Sequence, residues 1–187
     1  MKARYGVIKT ITILVLVFSA VFTKISAGQV TMGILPVNVP SESSAGLDTR
    51  QLQAISSQMH DYLAAQLSGT GNITKLSREH ILLLLKEMSS HTPENLDIEA
   101  YKTISRKEKL DYLLKCSVES LSLSGKMVNA PVRIIIIDGS NGKMFWEKTI
   151  KTVKTINETP VSELILMDQV FKPSLDEMIK EILTLKY

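Results

Sequence analysis

The chain reads as an α/β protein: a mixed central sheet of about five strands with helices packed on it, inferred from apolar periodicity. Three observations predict this. From Tyr112 to Val118 the apolar residues Tyr112, Leu114, Cys116 and Val118 alternate with Lys115 and Ser117, the period-two pattern of a half-buried strand. Val132–Ile137 (VRIIII) carries β-branched residues at successive positions, which suits a central strand covered on both faces. Asp138-Gly139-Ser140-Asn141-Gly142 follows, made of residues that tolerate positive φ, and turns the chain back into a strand from Lys143 to Thr149.

The remaining elements cover that sheet or lead into it. Val30–Val39 (VTMGILPVNV) predicts a strand, ended by Pro40 and the polar run Ser41 to Gly46. Asp48 with Gln51 three residues on has the form of a capping box. Leu52, Ile55, Met59, Tyr62, Leu63 and Leu67 then recur at helical spacing. Ser68–Asn72 closes that helix and leads into a short strand, Ile73–Leu76. Ser77 is placed to cap a helix from Arg78 to Met88. Its run Ile81–Leu85 is apolar nearly all round, which predicts packing on more than one side, within the domain or by self-association. Thr92-Pro93, a capping residue before a proline, predicts a third helix over 93–107.

After the sheet, Leu164, Met167, Phe171, Leu175, Met178, Ile179 and Ile182 keep one helical seam across Pro173. Proline cannot donate to the carbonyl of Gln169, so a kink or two helices meeting at Lys172 is expected.

With 187 residues the chain suits one domain with a real core. Its formal charge of +3 is misleading, because residues 1–27 hold Lys2, Arg4, Lys9 and Lys24 and no acid. Without those four of the 22 basic residues, 18 face 19 acids, a net charge of −1. A near-neutral body gives no electrostatic footprint for nucleic acid. The basic start, the apolar run Ile11 to Phe22 and a small residue at Ala27 predict a secretory signal over 1–27, cleaved before a single domain at 28–187. An uncleaved anchor in the inner membrane is the alternative. The expected location is therefore the periplasm.

Catalytic chemistry has no visible seat. His60, His80 and His91 lack metal-ligand spacing, and no metal or other cofactor is expected. Cys116, the single cysteine, sits on the apolar side of its strand and reads as a buried inert thiol. Gly139–Lys143 lacks the spacing of a phosphate loop and leads into a strand. Trp146 and Phe145 are neighbours, so one is expected on each face; an aromatic there could anchor a protein partner. Lys143, Lys148, Lys151 and Lys154 line a predicted edge ribbon, where lysines discourage strand pairing. Trp146, Phe145 and Lys148 are the candidate partner contacts.

Four segments resemble one group of bacterial envelope domains. Met32–Val37 resembles their opening "I-A-V-L-P-F" strand, and Ile73–Ile81 their "f-x-V-v-d-R-e-x-i" step from strand to helix. Lys109–Leu114 resembles "l-G-A-D-Y-l-v", with Lys109 where glycine is usual and Leu110 where alanine is usual. Val132–Trp146 resembles "v-x-l-r-l-i-D-x-x-T-G-e-v-v-W". The group includes the curli-production transport component (CsgG-type), the TolB amino-terminal domain, the lipoprotein activators of penicillin-binding proteins and a flagellar accessory protein. The resemblance implies an anticodon-binding-domain-like fold. It also implies a non-enzymatic accessory or assembly protein of the envelope that acts through protein contacts, with envelope proteins or further copies of itself as partners. A regulator that activates a cell-wall synthase is the alternative, and a small-ligand binding domain a third. The chain has no lipobox cysteine, and its short link Leu123–Pro131 leaves no room for the hairpins of pore-forming members.

Overall fold

The computed structural model describes residues 30–41, 45–69, 71–86, 96–158 and 160–186. The predicted signal segment lies outside them. The elements run β1 (Thr31–Ile34), α1 (Thr49–Leu67), β2 (Asn72–Lys75), α2 (Arg78–Leu84), α3 (Ile98–Glu108), β3 (Tyr112–Val118), β4 (Ser122–Ser124), β5 (Met127–Asn129), β6 (Val132–Asp138), β7 (Met144–Ile150) and β8 (Val153–Thr155). They finish with α4 (Glu163–Leu166), a π-helical turn (Met167–Phe171) and α5 (Lys172–Ile182).

The main sheet has five strands in the order β2-β1-β3-β6-β7. β1 pairs parallel with β2 and β3, whereas β3–β6 and β6–β7 are antiparallel, so the sheet is mixed as predicted. The chain leaves β1 through α1 over one face and leaves β2 through α2 and α3 over the other, as crossovers in opposite directions require. β6 lies between β3 and β7 and sends Val132, Ile134 and Ile136 into one apolar cluster, Ile135 and Ile137 toward the other. That is why its sequence is apolar at successive positions.

The two faces are unequal. The larger cluster joins α1, the α4–π–α5 run and the inner residues of β1, β3 and β6. The smaller is built from Ile81, Leu85, Ala100, Ile104, Leu113 and a few neighbours beneath α2 and α3. Asp48 and Gln51 form the capping box, the Gln51 amide donating to Asp48 at 2.8 Å and the Asp48 amide to the Gln51 side chain at 3.0 Å. Ser77 accepts from the His80 amide as the cap of α2.

Pro173 is accommodated by the π turn. The Lys172 amide donates to the Met167 carbonyl five residues back, and α5 starts there with proline in its first turn. The seam therefore continues through Met167, Phe171, Leu175, Met178, Ile179 and Ile182, all buried, but Leu164 is exposed and does not belong to it.

Several expectations need correction. α2 ends at Leu84 in place of Met88, which lies outside the described residues. Leu82 and Leu83 are 47% and 68% exposed, so the chain packs this helix on one side only. α3 begins at Ile98, because Leu96 and Asp97 are not helical and Asp97 supplies the cap, accepting from Ala100 at 2.8 Å. Thr92 and Pro93 lie outside the described residues. β1 stops at Ile34, although Asn38 still bridges to Ser117. The link Leu123–Pro131 is not plain loop: β4 and β5 form a hairpin that pairs with β8 as a second, three-stranded sheet. Its strands are three residues long and mostly polar at the surface, too short for a period-two signal.

The burial contrast gives a direct test by denaturant unfolding. Phe171→Ala, at the centre of the larger cluster, is expected to cost about 3–5 kcal/mol. Leu83→Ala should stay within about 0.5 kcal/mol of the parent.

Candidate functional site

One end of the sheet gathers the candidate residues. There the β6–β7 turn is held by Asp138, whose carboxylate accepts from the Ser140 amide (2.8 Å), the Ser140 hydroxyl (2.6 Å) and the Asn141 side-chain amide (2.8 Å). These bonds, led by the one from the Ser140 side chain, hold the Asp138 carboxyl below the usual range. Gly142 closes the turn at φ +69, where a side chain would strain the backbone and a Cβ would meet the Ile98 carbonyl at 2.5 Å.

Just past the turn the register slips. Ile136 opposes Trp146 and Ile137 opposes Met144, so Phe145 is the extra residue of a bulge. The strict alternation expected for Phe145 and Trp146 is lost for that reason. Trp146 packs on the larger cluster, and the Phe145 ring stands 5.3 Å from that of Tyr112, which packs on the same cluster. The two neighbours therefore share a face. Phe145 is 43% exposed and Met144 60%, with Ile98 exposed nearby across the turn.

Lys148 lies apart from that apolar rim. Its ammonium bonds Glu181 at 2.5 Å and Glu177 at 3.0 Å on α5, and these partners, Glu181 first, raise its pKa. Of the three candidate contacts, Phe145 faces outward, Trp146 half-covers the core and Lys148 ties the edge strand to α5.

Beside the aromatic rim is a cleft of about 720 Å³ between α3, the start of β3 and the β6–β7 turn. Lys102, Ser105, Arg106 and Lys109 form its helical wall; Asp111, Asp138 and Gly139 form the other. The helical spacing of 102, 105/106 and 109 puts these side chains on one side of α3. Asp111 anchors the cleft to β1, accepting from the Thr31 amide at 2.8 Å and donating its own amide to the Thr31 carbonyl at 2.9 Å. The Gly139 amide donates to the Asp111 carbonyl at 2.7 Å, so the turn is pulled onto α3. A Cβ on residue 139 would fall 2.6 Å from the Leu110 carbonyl oxygen and 2.7 Å from the Ser105 hydroxyl oxygen, which is why glycine stands there. The meeting of the turn with the start of β3 depends on contacts across tens of residues, which no local pattern announces.

A second cleft, of about 540 Å³, opens at the carboxyl ends of β1 and β2. Three of its polar side chains serve the fold. The Ser56 hydroxyl donates to the Val37 carbonyl at 2.5 Å, the buried His60 Nε2 lies 3.0 Å from the Ile34 carbonyl, and Lys75 is paired with Asp61. His80 pairs with Glu108 at 3.0 Å, and His91 lies outside the described residues. Cys116 is fully buried, and desolvation pushes its thiol up to about 12, the behaviour of an inert thiol. Among the described residues no group of three metal-binding side chains comes together.

No protein-family model matches the sequence, and no curated protein resembles it significantly. Solved structures do. A neuraminyllactose-binding hemagglutinin homolog from Helicobacter pylori superposes with a TM-score of 0.53 at 10% identity, over 82% of this chain and 86% of that one. Lipoprotein GNA1162 from Neisseria meningitidis gives a TM-score of 0.50 at 17% identity, over 81% of this chain and 99% of that one. The C-terminal domain of LpoB from Escherichia coli is a looser likeness, with a TM-score of 0.42 at 14% identity over 71% of this chain and 86% of that one. At these identities the shared property is the fold.

Burial lowers the His60 pKa from 6.5, with Lys75 lowering and Asp61 raising it by smaller amounts; the carbonyl bond to Ile34 also opposes the shift. A folded pKa below the unfolded one means that the unfolded chain takes up the proton first as pH falls through 6.5. Melting temperature should therefore drop from pH 7 to pH 5, and His60→Gln should flatten that drop.

Proposed function

We propose that this protein is a non-enzymatic accessory protein of the bacterial cell envelope that works through protein contacts at the turn end of β7. The observation that carries the reading is the exposed apolar rim of Met144 and Phe145, backed by Tyr112, on an edge strand whose outer side is unpaired among the described residues. An aromatic held by a second ring loses little freedom on docking, the property of a contact hot spot. Lys148 and its glutamates guard the middle of the same strand against non-specific pairing, which confines a partner to the rim. The basic and apolar start of the chain supports export, and the fold shared with a Neisseria lipoprotein agrees with a place in the envelope. No helix among the described residues is long and apolar enough to cross a membrane. The periplasm is the location this reading assigns, with inner-membrane anchoring through an uncleaved segment as the other form.

Regulation of a cell-wall synthase is the narrower version of the same reading, separated from assembly work by the partner's identity. Cross-linking in intact cells, followed by mass spectrometry, is expected to recover one or more envelope proteins. A Met144→Ser/Phe145→Ser pair should lower that recovery about tenfold while leaving the fold intact. A synthase as the main partner selects regulation; export or surface-structure machinery selects assembly. Turnover of a cell-wall substrate by the pure protein, or equal recovery with the double variant, overturns the proposal.

A further inference from the structure

We propose that the cleft at the carboxyl ends of β1 and β2 binds a neutral polyhydroxyl ligand, a sugar ring, against Gln53, Ser56, Ser57 and His60 of α1. The position is one at which open α/β sheets bind ligands. The chain leaves β1 through α1 over one face of the sheet, and leaves the adjacent parallel strand β2 through α2 over the other. The two connections part there and open a crevice beyond the strand ends. At about 540 Å³ it has the size of a small-ligand site.

The α1 wall decides the chemistry. Gln53, Ser56, Ser57 and His60 fall at i, i+3, i+4 and i+7 on one side of the helix, and all line the cleft. None is charged at neutral pH, since burial holds the His60 pKa below 6.5. Two of them have already used their donors. The Ser56 hydroxyl hydrogen goes to the Val37 carbonyl, and a neutral His60 beside the Ile34 carbonyl carries its proton on Nε2, which leaves Nδ1 an acceptor. His60 is 6% exposed, but its Nδ1 is not sealed. That atom makes no hydrogen bond among the described residues, and the Ser105 hydroxyl is the one side-chain polar atom among them that is both buried and unpartnered. Nδ1 therefore opens onto the cleft that the ring lines. A side chain more than nine-tenths buried thus presents a lone pair without a partner to a ligand-sized crevice. Gln53 and Ser57 are exposed and form no hydrogen bond among the described residues, which adds groups that both donate and accept.

The ligand class follows by elimination. An anion would set its lone pairs against the Ser56 and His60 acceptors and the Glu79 carboxylate, and a cation would meet Lys75 and Arg78 on the opposite wall. Lys75 is already paired with Asp61, and the Glu79 carboxylate is bonded by its own amide and the Ser77 hydroxyl. Pro36 and Val37 are the apolar lining, and Val37 is buried, so little surface is left for an apolar ligand. Hydroxyls on a small ring meet every condition: they donate to the two acceptors, accept from Gln53 and Ser57, and carry no charge. Ser56 and His60 stand one helical turn apart, roughly 5–6 Å between Cβ atoms, a span that hydroxyls across one sugar ring reach. Neutral hydrogen bonds exchanged for those of water leave a small net gain, so a single sugar should bind at about millimolar affinity.

The test is titration of the purified protein at neutral pH with glucose and, separately, with N-acetylglucosamine, followed by NMR. Saturable amide shifts confined to residues 53–60 and 75–79 are expected with at least one sugar. The His60 Nδ1 nitrogen resonance should move with them, as its lone pair takes up a hydrogen bond. Saturation by glucose assigns a ligand read through its hydroxyls alone; saturation by N-acetylglucosamine only assigns one whose acetamide is read as well. Gln53→Ala with Ser57→Ala should raise Kd about tenfold without lowering the melting temperature of the unliganded protein, since neither side chain has a bond to lose there. Absent or linearly growing shifts with both sugars, a His60 Nδ1 resonance that stays fixed while the amides saturate, or an unchanged Kd in the Gln53/Ser57 variant overturns the proposal.

Discussion

Thr31 and Asp111 stand 80 positions apart and exchange hydrogen bonds in both directions. That meeting fixes one end of the sheet. It starts β1 and β3 side by side, and the Asp111 carbonyl then takes the Gly139 amide, which brings the β6–β7 turn to the same point. Leu110, one residue earlier, donates to Ser105 at the end of α3. Four elements, of which α3 and β3 alone are chain neighbours, are thereby joined through Thr31, Ser105, Asp111 and Gly139. Each bond contributes only about 1 kcal/mol, so the junction matters less for total stability than for position. It decides where the cleft and the aromatic rim lie relative to one another.

The unequal covering of the sheet explains why this end is available. The long amphipathic α1 and the α4–π–α5 run close one face along the sheet, whereas α2 and α3 are short and roof only part of the other. The π turn contributes to that closure, because a regular α-helix through Pro173 would lose the seam that Phe171 and Leu175 share. Stability therefore resides mainly in the larger cluster, and the turn end with its bulge can carry exposed apolar and charged groups without endangering the core.

The parts legible in the sequence were those with local causes. The alternation in β3, the doubly apolar β6, the Asp48–Gln51 box and the Ser77 cap each follow from residues within a few positions, and each is found. The mixed five-stranded sheet followed from their order. What could not be read depends on distance. The β4–β5–β8 sheet is made of strands of three residues, and the bulge at Phe145 is set by pairing with β6. Nothing local in the sequence marks Ser105, at the end of α3, as the residue that Gly139 is brought against by Asp111. Trp146 and Lys148, read from the sequence as partner contacts, have the core and α5 as their neighbours, which no local pattern discloses.

The Thr31–Asp111 contact organises the turn end of the sheet independently of the main core. Amide hydrogen exchange of Asp111→Ala against the parent tests it most directly. Protection should be lost in the first residues of β1 and β3, at Gly139 and at the end of α3, with α1 and α5 unchanged. Loss spread evenly over all elements, or no loss at the turn end, would contradict it.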